Sequence, residues 1–375
     1  MKNIITTVGT SLFTNYLKFN NNIKSYYDLL EKETYSNNSG KNFYDEKRKI
    51  KELVLPFAQN KRDSAELKSL EKLFLKFKEE QIIITFICSD SILSNLAAEI
   101  YSEILTDRNT KYPNFVVEVK IDYIKNLIPF DQKFVNEGLS QLIYKLEAIC
   151  GGFYADKILN ITGGFKGVIP YLTIWGQINK VPLYYIFEES EFLINIPQSP
   201  ITIDYNLFEK YYEVFLELSE SVEKPKDKYI KENNLFDDFP SDLLYEIEND
   251  GTSLLSLDPL GLIYWRHYQS KFFTFYAPRE VLEEIENQPN VKRILATKFH
   301  NDIIRKNKTE QKGEHFVYDD GDNPNRIYYF ESHRKIYIYK TFQSEELAKE
   351  FIKRSFSKDD IIQKSLKTKI EVKNV

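Results

Sequence analysis

The sequence contains little cysteine and histidine, and it has no long hydrophobic run. Its two cysteines, Cys88 and Cys150, lie in apolar segments, so neither a disulfide framework nor a cysteine-rich zinc site is expected. The four histidines are far apart, which argues against a metal enzyme. No run of 18 apolar residues occurs, and the first residues predict a strand rather than a signal peptide. We therefore expect a soluble, cytoplasmic protein with no membrane partner and no metal ion.

Tyrosine and phenylalanine, by contrast, are abundant, at 26 and 27 of 375 residues. They are enough both to fill a core and to stack on nucleobases. The length predicts two or three domains. The formal net charge is −5, but residues 292–375 carry 19 basic and 13 acidic side chains. A basic C-terminal segment of this kind is typical of a solvated face, and it also suits nucleic acid.

Strand-like and helical segments alternate through the first 187 residues. Strands are predicted at 2–8, 81–88, 115–121, 157–162 and 182–187, and helices at 12–17, 64–77, 91–105, 133–150 and 165–179. The strands are almost entirely apolar, which is typical of a parallel sheet covered by helices on both faces. The polar stretch 20–42 is predicted to lie outside the core. The expected fold class is therefore α/β with a parallel sheet.

Three polar turns follow predicted strands, and ligands of parallel sheets bind at these strand ends. The turns are Gly9-Thr10-Ser11, Ser89-Asp90-Ser91 and Gly163-Gly164-Phe165-Lys166. In the third turn, two glycines let backbone amides approach a ligand and a lysine adds positive charge, which fits a phosphate. The alternative is a tight strand-to-helix connection without a ligand. No GxGxxG or GxxxxGK[ST] motif occurs, so an ordinary NAD or ATP site is not expected.

The composition changes from about residue 217. Residues 217–242 are charged and broken by Pro225 and Pro240, and 243–264 read as a small helical connector. Beyond residue 271 the pattern predicts a strand (272–276), two helices (278–287 and 291–305), three short strands (315–318, 325–330 and 335–341) and a helix (344–355). The expected domains are 1–205, a connector at 206–268, and 269–375, the last a small α+β domain with an antiparallel sheet.

Three motifs of the first domain resemble those of CARF domains (CRISPR-associated Rossmann fold): GTSL at 9–12, DSAEL at 63–67 and NITGGFKG at 160–167. The resemblance implies a Rossmann-like, homodimeric sensor that binds a cyclic oligoadenylate, most simply cyclic tetra-adenylate, across its twofold axis. It implies a site formed by Gly9, Thr10, Ser11, Leu12, Ser89, Asp90, Ser91, Gly163, Gly164, Phe165 and Lys166. Asp90 would accept from a ribose or an adenine. The DSAEL segment could instead only cap a helix.

The last domain resembles the RelE family of toxin ribonucleases in its element order and in residues 315–342. The resemblance implies cleavage of mRNA in the ribosomal A site without a metal, the 2′-hydroxyl of the RNA attacking its own phosphate. That chemistry needs cations around the phosphorane, a base and an acid. Arg326 matches the family's phosphate-stabilising arginine, and Lys340 stands where another basic residue is usual.

The other catalytic candidates leave the general base open, because some family members have lysines where this chain has His315 and Tyr318. The remaining candidates are His333, Arg334, Lys298 and Arg305. For Lys298 and Arg305 a solvated helical face is the favoured alternative. Tyr328 and Tyr329 are expected to alternate, one toward the core and one outward.

Together the two resemblances imply a cyclic-oligoadenylate-activated ribonuclease of type III CRISPR antiviral defence. One alternative is a HEPN ribonuclease, a helical fold with an Arg-x4-6-His motif, which Arg293 and His300 match in spacing. The other is a ligand-gated transcription regulator, with residues 243–266 in a winged helix and the basic segment on DNA.

Overall fold

The computed structural model describes residues 1–36, 43–61, 64–78, 80–110, 112–130, 132–187, 192–219, 224–235, 239–249, 251–321 and 323–373. The chain divides into two compact units, Met1–Trp265 and Arg266–Val375. Among the helices in these ranges, none is both long enough and apolar enough to cross a membrane.

A six-stranded sheet organises the first unit. Its strands are β1 (Lys2–Val8), β2 (Ile82–Cys88), β3 (Val116–Tyr123), β4 (Lys157–Asn160), β5 (Leu183–Ile186) and β6 (Leu193–Ile196). The order is β3-β2-β1-β4-β5-β6, with β1 to β5 parallel and β6 antiparallel to β5. The predicted α/β class with a parallel sheet is thus confirmed.

Within the described ranges, seven helices connect and cover these strands. They are α1 (Ser11–Leu17), α2 (Lys24–Leu30), α3 (Tyr44–Lys61), α4 (Ala65–Lys76), α5 (Ile92–Thr106), α6 (Gln132–Cys150) and α7 (Ile169–Ile178), with 3₁₀ turns at Tyr112–Asn114 and Lys166–Val168. The hydroxyl of Ser64 accepts from the Leu67 N–H and begins α4, and Ser91 begins α5 in the same way. Ser64 of the DSAEL segment therefore caps a helix, and Asp63 of that segment lies outside the described residues.

The polar stretch 20–42 contributes to the core, contrary to the prediction. Ile23, which precedes α2, and Tyr27 and Leu30 on α2 are buried, at spacings of four and three residues. This is a narrow apolar stripe on an otherwise polar helix, and one such stripe is enough to bury a helix face. Residues 37–42 of that stretch lie outside the described ranges.

Residues 206–271 are only partly helical, which corrects the predicted helical connector. Their elements are α8 (Asn206–Lys210), α9 (Tyr212–Leu218), β7 (Lys224–Pro225), α10 (Lys226–Asn233), β8 (Leu244–Asn249), β9 (Thr252–Leu257) and α11 (Pro259–Lys271). The strands form a sheet in the order β7-β9-β8. Gly251 joins β8 to β9 with φ of +76°, a conformation that favours glycine. The Asp250-Gly251 pair is a hairpin signal that the sequence interpretation missed.

The second unit is built on a mixed six-stranded sheet. Its strands are β10 (Phe272–Pro278), β11 (Thr309–Lys312), β12 (His315–Asp319), β13 (Arg326–Ser332), β14 (Lys335–Phe342) and β15 (Ser365–Glu371). The order is β11-β12-β13-β14-β10-β15, and only the β10–β14 pair is parallel. The expected antiparallel sheet is confirmed for the other pairs, whereas β11 and β15 were not predicted.

Helices flank this second sheet, and one predicted helix is interrupted. The helices are α12 (Arg279–Glu286), α13 (Pro289–Ile294), α14 (Asp302–Asn307), α15 (Glu345–Phe351) and α16 (Lys358–Lys364). The single helix predicted at 291–305 is divided between α13 and α14 by a π-helical turn, Leu295–Phe299. π-Helical turns are frequent at functional sites.

Tyr328 and Tyr329 point to opposite sides of β13, but both are buried. Tyr328 packs with Phe330 and Tyr339 on one side of the sheet, and Tyr329 packs with Phe299 on the other. The prediction that one of them faces outward is wrong, because this sheet has an aromatic core on each face.

Candidate functional site

The carboxyl ends of β1 and β4 lie side by side in the first unit, where the strand order reverses. From β1 the chain moves outward to β2 and β3, and it then returns to β4 on the other side of β1. Such a reversal opens a crevice, because the two connections leave in opposite directions. A cavity of about 660 Å³ lies there. Its lining is Gly9, Thr10, Ser11, Thr14, Asn15, Lys18, Phe19, Ala65, Lys68, Thr162, Gly163, Gly164, Lys166 and Ile186.

The lining of this cavity is positively charged. Lys18, Lys68 and Lys166 are exposed, and none of the described lining residues is acidic. Lys18 Nζ lies 2.9 Å from Asn15 Oδ1. Phe19 is 62% exposed, so an aromatic ring is open to solvent in the same cavity. Cations beside an exposed ring can bind a ligand that has both phosphates and bases.

The glycine turn after β4 is shaped by the close approach of β1. Gly164 has φ of +91°, and a Cβ built on it would lie 2.9 Å from the Cβ of Thr7. The Thr7 hydroxyl donates a hydrogen bond to the Gly163 carbonyl. The glycines therefore allow a tight connection, as the alternative interpretation held, and they also form part of the cavity wall.

The structure brings together two of the three predicted turns. Gly9, Thr10 and Ser11 line the cavity with Gly163, Gly164 and Lys166. Leu12 is buried in the core, and Phe165, Ser89, Asp90 and Ser91 lie outside the described lining. The turn at 89–91 is thus not among the described residues that line this cavity.

Asp90 has a different role from the one predicted for it. It is 1% exposed. One oxygen accepts from the Ser36 N–H at 2.8 Å, and the other accepts from the Ser36 hydroxyl at 2.5 Å and the Asn126 N–H at 2.9 Å. The carboxylate fastens two loops to the sheet, and its oxygens are occupied by protein donors.

In the second unit, Arg326 is buried at the start of β13 and is paired with carboxylates. Its Nη2 lies 2.9 Å from Asp319 Oδ2 and 2.7 Å from Glu345 Oε1. Its Nη1 donates to the carbonyls of Asn323 and Asn325. The guanidinium is thus held firmly in place and is neutralised by two acidic residues.

The other basic candidates are paired in the same way. Lys340 on β14 pairs with Glu284 on α12, and Lys298 Nζ lies 2.7 Å from Asp320 Oδ2. Arg326 lies on β13, and Lys340 lies on β14, where it is paired with Tyr328 of β13. The two predicted phosphate ligands, Arg326 and Lys340, therefore come from neighbouring strands.

Arg305 is buried, so the solvated helical face predicted for it is wrong. Its guanidinium stacks over the ring of Phe299 at 5.5 Å and pairs with Asp302 and with Glu331, at 3.1 Å for the latter. A buried guanidinium between an aromatic ring and two carboxylates fixes α14 against the sheet.

His315 and Tyr318 are each 1% exposed. His315 Nε2 lies 2.9 Å from the Arg354 carbonyl, which can only accept, so Nε2 carries the proton. Nδ1 then accepts from the hydroxyl of Tyr339, at 2.8 Å. Burial raises the pKa of Tyr318 well above its usual range. A proton-transfer role would need access that neither side chain has in this arrangement.

His333 and Arg334 form the exposed two-residue turn between β13 and β14. Their φ values are +47° and +63°, and Ser332 pairs with Lys335 across the turn. Positive φ at both positions is the type I′ arrangement, which Asn-Gly adopts with less strain. His333 is thus the exposed histidine among the predicted catalytic residues.

The residues of the HEPN alternative and those of the transcription-regulator alternative lie in different settings. Arg293 is exposed on α13, while His300 follows the π-helical turn, and burial lowers its pKa. The proposed winged helix instead contains the β8–β9 hairpin and α11, on which Leu262, Ile263 and Trp265 are buried. A DNA-recognition helix must expose its reading face.

Sequence interpretation missed several residues at the cavity. Lys18 and Phe19 follow α1, Lys68 lies on α4, and Glu66 lies behind the wall. Lys18 and Lys68 had no motif to distinguish them from other surface lysines. The exposure of Phe19 became visible only in three dimensions.

Comparison with known families links the first unit to CRISPR systems. A family model described as CRISPR-associated protein (Cas_APE2256) matches residues 61–199. The match covers the Gly163-Gly164 turn, Lys68 and Lys166, and it excludes the turn after β1 and the whole second unit. It supports CRISPR association for this part of the chain. A comparison with curated proteins gives no match.

Proposed function

We propose that the chain is a cyclic-oligoadenylate-activated, metal-independent endoribonuclease of type III CRISPR defence. The cationic cavity between β1 and β4 carries the sensor half of this proposal. Lys18, Lys68 and Lys166 suit the phosphates of the messenger, and Phe19 suits an adenine. The strand order of the first sheet is that of Rossmann-like folds. The CRISPR-associated family match supports the same biological setting. A CARF-like homodimer would bind the cyclic messenger across its axis.

The effector half of the proposal is a RelE-like cleavage of mRNA, on the ribosome, by the second unit. It is supported by the mixed sheet and by Arg326 and Lys340 on adjacent strands. In this mechanism the 2′-hydroxyl attacks the neighbouring phosphate, and the two cations stabilise the charge that develops on it. The general base is left open, because His333 lies in the turn at the far end of the β13–β14 hairpin from Arg326.

Activation has a physical requirement in this unit. Arg326 and Lys340 pair with Glu345 and Glu284, so an RNA phosphate must replace these carboxylates to reach the cations. A messenger can favour that exchange only by binding more tightly to the chain when the pairs are open. We propose that the paired arrangement is the resting form of the effector.

The direct test is translation of a reporter mRNA in a cell-free system containing cyclic tri-, tetra- or hexa-adenylate. We expect reporter cleavage with one of these ligands, and EDTA-tolerant cleavage is scored separately on free RNA. Cleavage in the absence of every cyclic oligoadenylate, or no cleavage with any of them, would contradict activation by the messenger. Retention of a specific DNA without RNA loss would favour the regulator.

Changing Lys68 and Lys166 to alanine should weaken messenger binding about tenfold for each lysine, because a hydrogen bond to a charged group contributes about 1.5 kcal/mol. The measurement is isothermal titration calorimetry at two salt concentrations, and the double variant should show the smaller salt dependence. Lys76→Ala is the matched control, since Lys76 is exposed on the same helix, outside the described lining. Equal losses of messenger affinity in Lys68→Ala, Lys166→Ala and Lys76→Ala would argue against this cavity as the site.

A further inference from the structure

Glu66 is a fully buried acidic residue in the first turn of α4, directly behind the cavity wall. Its Oε1 accepts a hydrogen bond from the Gly9 N–H at 3.0 Å. A Cβ built on Gly163 would lie 2.2 Å from the same oxygen. One carboxylate therefore supports both turns of the cavity, the one after β1 and the one after β4.

The second oxygen of Glu66 connects the cavity wall to two helices. Oε2 lies 2.9 Å from the hydroxyl of Ser64, which begins α4, and 3.3 Å from the hydroxyl of Tyr101 on α5. Burial and the Glu66 charge raise the pKa of Tyr101 well above its usual range, so its hydroxyl stays a donor. The ligand-facing turns, α4 and α5 thus meet at one side chain.

The charge of Glu66 acts against an anionic ligand. None of the partners that the structure describes for Glu66 is a cation, so the charge is stabilised by hydrogen bonds alone. Gly9 and Gly163 both line the cavity and lie against the carboxylate, and a buried charge is screened less than a surface one. A phosphate in the cavity must therefore repel Glu66.

We propose that Glu66 is the positioning residue that transmits occupancy of the cavity to α4 and α5. The inference rests on the proposed anionic messenger. When the messenger enters, repulsion weakens the Gly9 contact and shifts the carboxylate toward Ser64 and Tyr101. Part of the binding energy is used in this displacement, so the messenger binds less tightly than the lysines alone would allow.

The test is Glu66→Gln, which preserves shape and removes the charge. Calorimetry with the cyclic oligoadenylate that activates the wild type should give binding about tenfold tighter. At saturating messenger, mRNA cleavage should fall about tenfold. A purely structural role predicts the opposite pattern, with weaker binding and a lower melting temperature. Hydrogen exchange should show messenger-dependent change at residues 64–67 and 99–103 in the wild type and not in Glu66→Gln.

The control is Glu71→Gln, which removes a charge from the same helix at a residue bonded to Tyr112 rather than to the cavity wall. It should leave affinity and activation unchanged. If the wild type binds the messenger and is activated by it, and Glu66→Gln shows the same affinity and activation, the role of Glu66 is overturned and the proposed function stands. If the wild type binds no cyclic oligoadenylate, both are overturned.

Discussion

Replacing Gly163 by alanine is expected to destabilise the first unit by about 1–3 kcal/mol and to abolish messenger binding. The new methyl group would lie 2.2 Å from Glu66 Oε1 and 2.5 Å from its Cδ. Glu66 is buried and bonded to Gly9, Ser64 and Tyr101, so moving its side chain far enough to admit a methyl group would break these hydrogen bonds. The turn after β4 must move instead, and the cavity loses its shape. Calorimetric melting and messenger titration measure the two effects.

The double variant Gly163→Ala/Glu66→Ala distinguishes this cause from a general loss of glycine flexibility. Removing the Glu66 side chain removes the atoms that the new methyl group would meet. The destabilisation by the methyl group should then fall by at least about 1 kcal/mol, the size expected for contacting residues in a double-mutant cycle. Strict additivity of the two single changes would contradict the steric argument.

Replacing Arg326 by alanine is expected to lower messenger-activated mRNA cleavage by about 10²–10³-fold. This is the usual effect of removing one group that stabilises charge in a transition state. Part of any loss could come from folding, since Arg326 also bonds Asp319, Glu345 and two backbone carbonyls. Arg326→Lys keeps the charge but loses the two-pronged geometry. It should fold like the wild type and still be impaired, as single-turnover cleavage with circular dichroism can verify.

The matched comparison is His300→Ala, at the histidine of the HEPN alternative. Its imidazole is half-buried beside the π-helical turn, and we expect its removal to leave cleavage within a few-fold of the wild type. An inactive His300→Ala together with an active Arg326→Ala would reverse the assignment. The six strands around these residues already disfavour an all-helical nuclease.

The strands β1, β2, β4 and β5 could be predicted because their apolar runs are continuous. β1 was predicted with the bounds that the structure shows, and β2 to within one residue. Of the strands that were missed, β11 and β15 lack this signal. β11 consists of Thr-Glu-Gln-Lys, and β15 alternates polar and apolar residues at the edge of its sheet. Hydrogen bonding to a neighbouring strand supports them, and a single sequence does not reveal that pairing.

The sequence indicated the glycine turn of the candidate site, but it did not indicate what the acidic residues Asp90 and Glu66 contact. The glycines at 163 and 164 stood out because few other residues fit a tight turn. Asp90 was placed in the ligand site because a polar residue at a strand end has two possible uses, and the backbone partners that it binds are distant in sequence. Glu66 entered the sequence interpretation only as part of the DSAEL segment, which resembles a CARF motif or begins a helix. Its burial depends on two loops that the helix meets only in the folded chain.

The pairing of β10 constrains the order in which the second unit can fold. Phe272 of β10 pairs with Glu371 of β15, and Tyr276 pairs with Tyr337 of β14. β10 can therefore pair only when strands about 60 and 100 residues later in the chain are available. Contacts between residues so far apart in sequence form slowly. During synthesis the sheet around β10 stays incomplete until residue 371 has emerged. A nascent or truncated chain that lacks β15 would thus have an incomplete sheet in the second unit.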